Sequence, residues 1–241
     1  MLETKQYPLQ AGKIHSNYLI YMLMRVYHFI NDQHGLLNLQ MGRLKISTLN
    51  ELNDPFELFG VEMSNESVRY AFQSMKTELS KSRGILCFSK SWSNPVMWSH
   101  YANRHAGLCL GFDIPDECLR KVSYSRKRLV AEAEKLSDPT RLTIRLTQKF
   151  LLTKYEHWKY EEEVRSFVAL EDKDPETGLY FAGFSERLKL ISVIVGANSS
   201  LSRSDIQMAL SEHEENVDVF KARLAFKTFK VVRQKNELLW F

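Results

Sequence analysis

The stretch ILCFSKSWSNPVMWSHYANRHAGLCLGFD, residues 85–113, predicts two strands joined through a short helix. The first strand runs from Ile85 to Ser89, and the second from Leu108 to Phe112, ending at Asp113. Both are apolar on the two faces that alternate along a strand, a pattern typical of strands deep inside a sheet. The stretch therefore predicts the centre of a sheet.

The segment between these strands predicts a helix. Asn94 is a suitable N-cap residue, and Pro95 is a suitable first residue of a helix. A helix held between two central strands would bring Ser99, His100 and Tyr101 to a cleft of the sheet. A histidine beside hydroxyl groups can act as an acid, a base or a hydrogen-bond donor, although such residues also fill polar seams of a core.

Short strands and helices alternate irregularly along the remaining chain, which favours an α+β fold with a central mixed, mainly antiparallel sheet flanked by helices. No linker rich in Pro, Gly or Ser interrupts the 241 residues, so we predict an N-terminal arm at 1–17 and a single domain at 18–241. Predicted strands lie at 25–30, 44–48, 121–124, 163–170, 188–196, 217–221 and 224–233, and predicted helices at 36–40, 65–81, 94–101, 139–155, 202–212 and one ending near 136.

The composition is that of an ordinary globular protein, with 44% hydrophobic and 26% charged residues. A net charge of +4 permits an anionic partner but falls short of the basic footprint of a dedicated nucleic-acid binder. Cys87, Cys109 and Cys118 show no metal-binding spacing, which predicts reduced, buried thiols. The apolar residues 18–24 are too few to span a bilayer. We therefore predict a cytoplasmic protein without a membrane segment.

A charged stretch precedes the predicted strand at 163–170. Side chains alternate with period two, so Glu161, Glu163 and Arg165 share a face if the extended chain begins at Glu161. One carboxylate would then be held by the guanidinium, while the other could bind a ribose hydroxyl or stabilise positive charge. The alternative is a solvated edge strand.

Two further features bear on function. Residues 53–57, which include Asp54, form either a rigid turn or a ligand-binding loop. The sequence contains no GxGxxG, GxxxxGK[ST], HExxH or GxSxG motif, which leaves the common nucleotide, zinc-protease and hydrolase signatures without support. His100 and His105 are five residues apart, the wrong spacing for a metal pair on one helical face.

Four linked motifs resemble the bacterial and phage domain-of-unknown-function family numbered 2971. They are NDPFE at 53–57, CFS at 87–89, MWSHYA at 97–102 with HAG at 105–107 and GFD at 111–113, and WKYEEEVR at 158–165. The resemblance covers roughly residues 25–200, and the family carries no established activity.

The order of parts also resembles ADP-ribosyltransferase-type domains. Tyr27 and His28 lie on the first strand, Ser47 ends the second, and Glu161-x-Glu163 enters a late strand. This resemblance implies NAD as substrate, with His28 orienting it, Ser47 forming a pocket wall and Glu163 or Glu161 as the catalytic acid. The chain departs from that layout in its central helix at 98–101, which such domains do not require.

Together these features predict an NAD-dependent enzyme of ADP-ribosyltransferase type, a cytoplasmic toxin or phage-defence effector with a nucleic acid or protein target. The predicted catalytic residues are Glu163, Glu161, His100 and Tyr101. The predicted NAD-binding residues are His28, Tyr27, Ser47, Asp54 and Arg165.

Two other classes of function remain open. A non-enzymatic nucleic-acid-binding module would use a basic edge that bears an aromatic residue, unless this is an ordinary solvated edge. Its residues would be Arg120, Lys121, Tyr124, Arg126, Lys127 and Arg128. A nuclease-like hydrolase would use His100 as a base.

Overall fold

A computed structural model describes residues 22–52, 56, 60–130, 144–210 and 216–240. The predicted arm at 1–17, the predicted helix end near 136 and Asp54 lie outside the described residues. Within the described residues the strands are β1 Leu23–Ile30, β2 Arg43–Thr48, β3 Arg83–Ser89, β4 Leu108–Pro115, β5 Arg120–Lys121, β6 Ser123–Ser125, β7 Thr153–Tyr155, β8 Glu163–Ala169, β9 Tyr180–Gly183, β10 Lys189–Val195, β11 Asp218–Leu224 and β12 Val231–Arg233.

The described α-helices are α1 Asp32–Gln40, α2 Glu66–Ser82, α3 Pro95–Tyr101, α4 Ile144–Leu151 and α5 Arg203–Leu210. Short 3-10 helices lie at Asp116–Cys118, Glu156–Glu161 and Glu237–Leu239. Among the described helices, none combines the length and the apolar character needed to cross a bilayer.

The main sheet has the order β12-β11-β10-β4-β1-β3-β2-β9, with β8 on β3 and β5 on β8. Its described pairs are antiparallel except β10 with β11. The predicted fold class, a single α+β domain with a mainly antiparallel central sheet, is confirmed. β4 lies between β1 and β10, in agreement with its apolar sequence.

Strand β3 is the point where the sheet forks. Along one edge it pairs with β1 only at Tyr27 and Ser89, and with β2 at Ser47 and Ile85. Strand β8 follows β3 along its whole length. Because β1 and β2 bind opposite ends of β3, they diverge around Cys87, and a cleft opens between them.

The two sheet faces are covered by different helices. Side chains along β1 point alternately to the two faces, so residues of this one strand belong to two cores. Val26 faces a core that also contains Phe112 and Leu39 of α1, whereas Phe29 faces a core formed with α3. Trp98 of α3 is fully buried there, and its indole N–H donates to the Trp92 carbonyl at 2.6 Å. Burying a side chain of this size contributes on the order of 3 kcal/mol, which fixes α3 against the sheet.

The capping residues predicted for α3 are confirmed. A capping residue that was not predicted places the start of α1 earlier in the chain. Asn94 Oδ1 accepts the Val96 N–H at 2.9 Å. In α1, Asn31 accepts the His34 N–H at 2.8 Å, so the helix begins at Asp32 rather than at the predicted Leu36. A capping side chain satisfies an otherwise unpaired N–H, which explains the earlier start.

Three predicted elements differ in the structure. The predicted strand at 121–124 is interrupted at Val122, whose N–H bonds the Glu163 carbonyl. Of the predicted helix at 139–155, residues 139–143 lie outside the described residues, and the remainder is α4 followed by strand β7. The predicted strand at 224–233 is present only at its two ends, because the chain leaves the sheet after Leu224, the last residue of β11, and returns as β12. Between them Phe226 and Phe229 are 91% and 98% exposed.

We expect Gly196→Ala to lower the free energy of unfolding by about 1–3 kcal/mol, the usual cost of overpacking. A Cβ at this position would overlap the carbonyl oxygen of His105 and lie 2.8 Å from that of Gly107. Gly183→Ala is the control, since no atom lies within 4 Å of its added Cβ. Urea unfolding of both variants measures the difference. Equal stability of the two would contradict this close backbone approach.

Candidate functional site

The cleft at the fork has a volume of about 210 Å³ and collects residues from distant parts of the chain. Its walls include the β1 and β2 strands, the end of α3 and the segment that leads into β8. Six of the residues predicted from the sequence line it: Tyr27, His28, Ser47, Tyr101, Glu161 and Glu163. Residues as far apart in the sequence as Tyr27 and Glu163 therefore share one cleft.

His28 bridges the gap where the fork opens. Its Nδ1 lies 3.0 Å from the Cys87 carbonyl oxygen, and a carbonyl can only accept a hydrogen bond, so Nδ1 carries the proton. Burial lowers the pKa of His28, opposed by this bond to Cys87, and favours the neutral ring. The neutral tautomer leaves Nε2 as a hydrogen-bond acceptor at the cleft.

Glu163 is held in a fixed position by several donors. Arg165 donates to both carboxylate oxygens, from Nε at 2.7 Å and from the terminal nitrogen at 3.0 Å. Lys154 Nζ lies 3.2 Å from Oε2. The backbone N–H of Glu163 donates to the Tyr124 hydroxyl at 2.8 Å. This carboxylate is 6% exposed, so its orientation is set by these bonds rather than by water.

Glu161 completes the cluster from the other side of the cleft wall. The Tyr101 hydroxyl donates to its Oε1 at 2.5 Å, and Lys154 Nζ donates to its Oε2 at 2.7 Å. Lys154 thus joins the two carboxylates. With Arg165 the set contains two anions and two cations in a nearly dry environment, which makes pairing necessary because unpaired buried charges are costly.

The backbone brings Glu161 and Glu163 together in an unexpected way. Glu161 ends the 3-10 helix at 156–161 instead of belonging to an extended strand. Glu162 follows with a φ of 46°, in the left-handed region. With Glu162 in this conformation, both flanking carboxylates line the cleft while Glu162 itself is exposed.

The two carboxylates differ in proton affinity. Burial would raise the pKa of Glu163, but the charge and hydrogen bonds of Arg165 outweigh it, and Lys154 adds to them, so its pKa falls to about 2. Burial raises the pKa of Glu161, and Lys154 and Tyr101 only partly offset the effect. Burial and the Glu161 carboxylate also raise the pKa of Tyr101, which keeps its hydroxyl a donor. Glu163 is therefore ionised at neutral pH, and Glu161 is the better proton acceptor of the two.

Two predicted site residues lie elsewhere. His100 is exposed and does not line the cleft; its Nδ1 lies 3.0 Å from the Tyr160 hydroxyl. Adjacent helical residues point about 100° apart, so the turn that directs Tyr101 into the cleft directs His100 away. Arg165 is 1% exposed and also donates to the Leu151 carbonyl at 2.7 Å, so it positions Glu163 instead of contacting a ligand.

The predicted basic edge is divided in the structure. Arg120 and Lys121 pair with β8, and one Arg120 nitrogen donates to the Glu117 carbonyl at 2.6 Å. Tyr124 is partly buried, and burial raises its pKa to about 12. The run Arg126 to Arg128 follows β6 and lies beside a different hollow.

Sequence reasoning missed Lys154, the residue that joins both carboxylates. It falls within the predicted helix at 139–155, where a lysine indicates an exposed position. The structure instead places it in β7, buried, with its Nζ 5.1 Å from the centre of the Trp158 ring.

These features define a class: an α+β protein with a forked sheet and a buried carboxylate pair in its cleft. Residues 97–166 match the family model described as "Protein of unknown function (DUF2971)". The predicted resemblance to this family is confirmed, over a region that is narrower than the predicted 25–200 and holds the two later of the four motifs. The region contains Tyr101, Lys154, Glu161 and Glu163. Searches of the curated proteins and of the solved structures returned no match.

We expect Arg165→Met to lower the free energy of unfolding by about 3–5 kcal/mol, because it removes the main partner of a buried carboxylate. Arg25→Met is a matched control: Arg25 also binds Asp113 through two nitrogens, each at 3.0 Å, but is 57% exposed. Such an exposed pair contributes about 1 kcal/mol or less. Urea unfolding compares the two variants, and equal losses would contradict the importance of the buried cluster.

We expect the stability of the wild type to depend more steeply on pH than that of His28→Asn. The pKa of His28 is lowered in the folded state, so the unfolded chain binds more protons once the pH falls below about 6.5. Stability is therefore present at pH 7.5 and decreases as the pH falls through that range, by up to about 1.4 kcal/mol per pH unit.

The His28→Asn variant removes the titrating imidazole but keeps an amide N–H able to donate to the Cys87 carbonyl. Denaturant unfolding between pH 7.5 and 5.5 gives the two slopes. Parallel slopes would show that His28 is not held neutral by the fold.

Proposed function

We propose that the chain is an NAD-dependent enzyme of ADP-ribosyltransferase type. The observation that carries this proposal is the convergence of His28, Ser47 and the pair Glu161 and Glu163 on one cleft. These residues come from β1, β2 and the entry of β8, and they were linked to NAD by the resemblance alone. Their spatial convergence is an independent property of the fold.

The reaction begins with cleavage of the bond between C1′ of the ribose and the nicotinamide nitrogen. The electron pair of that bond leaves with nicotinamide, which becomes neutral, and positive charge develops on the ribose. An acceptor atom then forms a bond to C1′ and releases its proton. A catalyst for this reaction needs a fixed negative charge near the ribose and a group that takes the proton.

Glu163 fits the first requirement. Its carboxylate stays ionised because its pKa is about 2, and its bonds to Arg165 and Lys154 fix its position before substrate arrives. Groups that are preorganised in this way stabilise a transition state without reorganisation during the reaction. Glu163 is therefore the electrostatic stabiliser in our proposal.

Glu161 fits the second requirement. Burial raises its pKa above the ordinary value of a glutamate, so it takes up a proton more readily than Glu163 does. Its bonds to Tyr101 and Lys154 hold it at the same cleft as Glu163. Glu161 is therefore the group that accepts the proton of the acceptor.

The remaining walls suit the nicotinamide end of NAD. Tyr27, Phe29 and Tyr101 offer aromatic surface, and His28 Nε2 and the Ser47 hydroxyl offer hydrogen bonds to a carboxamide or a ribose. A volume of about 210 Å³ is smaller than the about 300–1,000 Å³ of pockets for complete drug-sized ligands. The cleft thus takes the nicotinamide riboside part, and the adenosine part lies outside it.

Localisation and biological use belong to the same proposal. None of the described cysteines, Cys87, Cys109 and Cys118, forms a disulfide, which fits a reducing cytoplasm. A role as a toxin or phage-defence effector remains a prediction from the sequence.

We expect NAD to stabilise the wild type by about 2.7 kcal/mol when its concentration is a hundred times its dissociation constant. Thermal unfolding with and without millimolar NAD measures the effect. Nicotinamide release from NAD should fall by about 10²–10³-fold in Glu163→Gln, the usual loss for one preorganised group. Glu171→Gln, an exposed carboxylate beyond β8, is the control and should retain the wild-type rate.

Because Glu163→Gln also disturbs a buried ion pair, Ser47→Ala provides a second test. Ser47 is half-buried, and no charge is lost with its hydroxyl. This variant should keep the wild-type unfolding temperature without NAD and show a smaller shift with NAD. Absence of an NAD shift in the folded wild type would overturn the proposal.

A further inference from the structure

A second hollow lies directly beside the cleft, and the two share Lys154. It has a volume of about 520 Å³. Its walls include a basic run and three rings: Arg126, Lys127, Arg128, Tyr155, His157 and Trp158. None of these residues has a part in the chemistry proposed for the cleft.

The basic side of the hollow is open to solvent. Arg126, Lys127 and Arg128 are all exposed. Glu156 forms an ion pair with Arg126, and the exposed Lys159 lies three residues further on. Cations therefore outnumber carboxylates at this surface, which favours a polyanionic ligand.

The aromatic rings of the hollow indicate which class of polyanion it binds. The rings of Tyr155 and His157 lie 4.6 Å apart with planes inclined by 31°, and Tyr155 is 48% exposed. Exposed rings beside cations are the combination that binds single-stranded nucleic acid, because bases stack on the rings while phosphates contact the cations. A duplex hides its base faces, and an acidic peptide has no base to stack.

Strand β7 connects the hollow to the carboxylates. Thr153, Lys154 and Tyr155 of this strand all line the hollow, and Lys154 also lines the cleft. Lys154 Nζ bonds Glu161 and Glu163 there. A nucleotide strand bound at the hollow would thus lie next to the lysine that bonds both carboxylates of the cleft.

We propose that this hollow binds single-stranded nucleic acid and that the bound strand is the acceptor of ADP-ribose. The acceptor role rests on the proposed function of the cleft. A base nitrogen forms the bond to C1′ of the ribose while nicotinamide leaves with the electron pair of the broken bond, and the proton of that nitrogen passes to Glu161. Occupancy of the hollow by nucleic acid is independent of NAD.

The first experiment measures fluorescence anisotropy of labelled mixed-sequence oligonucleotides without NAD, as single-stranded DNA, single-stranded RNA and duplex DNA. The wild type should bind at least one single strand about tenfold more tightly than the duplex. The double variant Lys127→Ala, Arg128→Ala should lower the slope of log affinity against log salt by about 1.4, because each lost phosphate contact contributes about 0.7. Tyr155→Ala should weaken binding about tenfold, in line with the loss of one stacked base.

The matched control is the double variant Lys227→Ala, Lys230→Ala. It removes two lysines beside Phe226 and Phe229, another exposed set of aromatic and basic residues that is far from the cleft in the sequence. It should leave affinity and salt slope unchanged. Equal losses in the two double variants, absence of single-strand binding at 50 mM salt, or equally effective displacement by polyglutamate would overturn the proposal.

The second experiment adds NAD labelled in its adenosine part to the oligonucleotide that binds. Label should become attached to the oligonucleotide with the wild type, and attachment should fall about tenfold with Tyr155→Ala. If NAD binds and nicotinamide is released while the bound oligonucleotide stays unlabelled, the acceptor role is overturned and the function of the cleft survives. If oligonucleotide binds but NAD does not, the function proposed for the cleft fails, and the acceptor role fails with it.

Discussion

The buried ion pair between Glu163 and Arg165 is the interaction on which the cleft depends. A guanidinium that is 1% exposed would be very costly alone, and the carboxylate opposite it would be equally costly. Two hydrogen bonds between them, and Lys154 between Glu163 and Glu161, satisfy these charges in one arrangement. The position of the carboxylates in the cleft follows from electrostatic necessity within the core.

The fork of the sheet gives this cluster access to a ligand. If β1 and β2 paired with β3 along its whole edge, the space around Cys87 would be filled by backbone. Because the two strands diverge, the Cys87 carbonyl accepts a hydrogen bond from the His28 ring and not from a neighbouring strand. The divergence of β1 and β2 thus has two effects. It leaves the Cys87 carbonyl to the His28 side chain, and it opens the space beside the carboxylates.

Much of this architecture could be predicted from local patterns. The apolar residues on both faces of β3 and β4 predicted their central place, and Asn94 with Pro95 predicted the start of α3. These features depend on neighbouring residues only, and the capping bonds and burial that they predict are present.

The site itself was harder to predict, because it depends on contacts between distant segments. The period-two pattern placed Glu161 on a strand, whereas the left-handed conformation of Glu162 brings it to the cleft by a turn. Lys154 gave no signal, because burial of a lysine follows from carboxylates that reach it from another segment. His100 was predicted to lie in the cleft because it is next to Tyr101 in the sequence, but adjacent side chains of a helix point in different directions.

The cleft is therefore lined by one carboxylate whose pKa is lowered to about 2 and by another whose pKa is raised. The most direct measurement is a titration of the side-chain carboxyl carbons of Glu161 and Glu163 by NMR, without and with NAD. Our account predicts that Glu163 remains ionised down to a pH of about 2, that Glu161 titrates above the usual range of a glutamate, and that NAD shifts both signals. Identical titration of the two groups, or signals that do not respond to millimolar NAD, would contradict it.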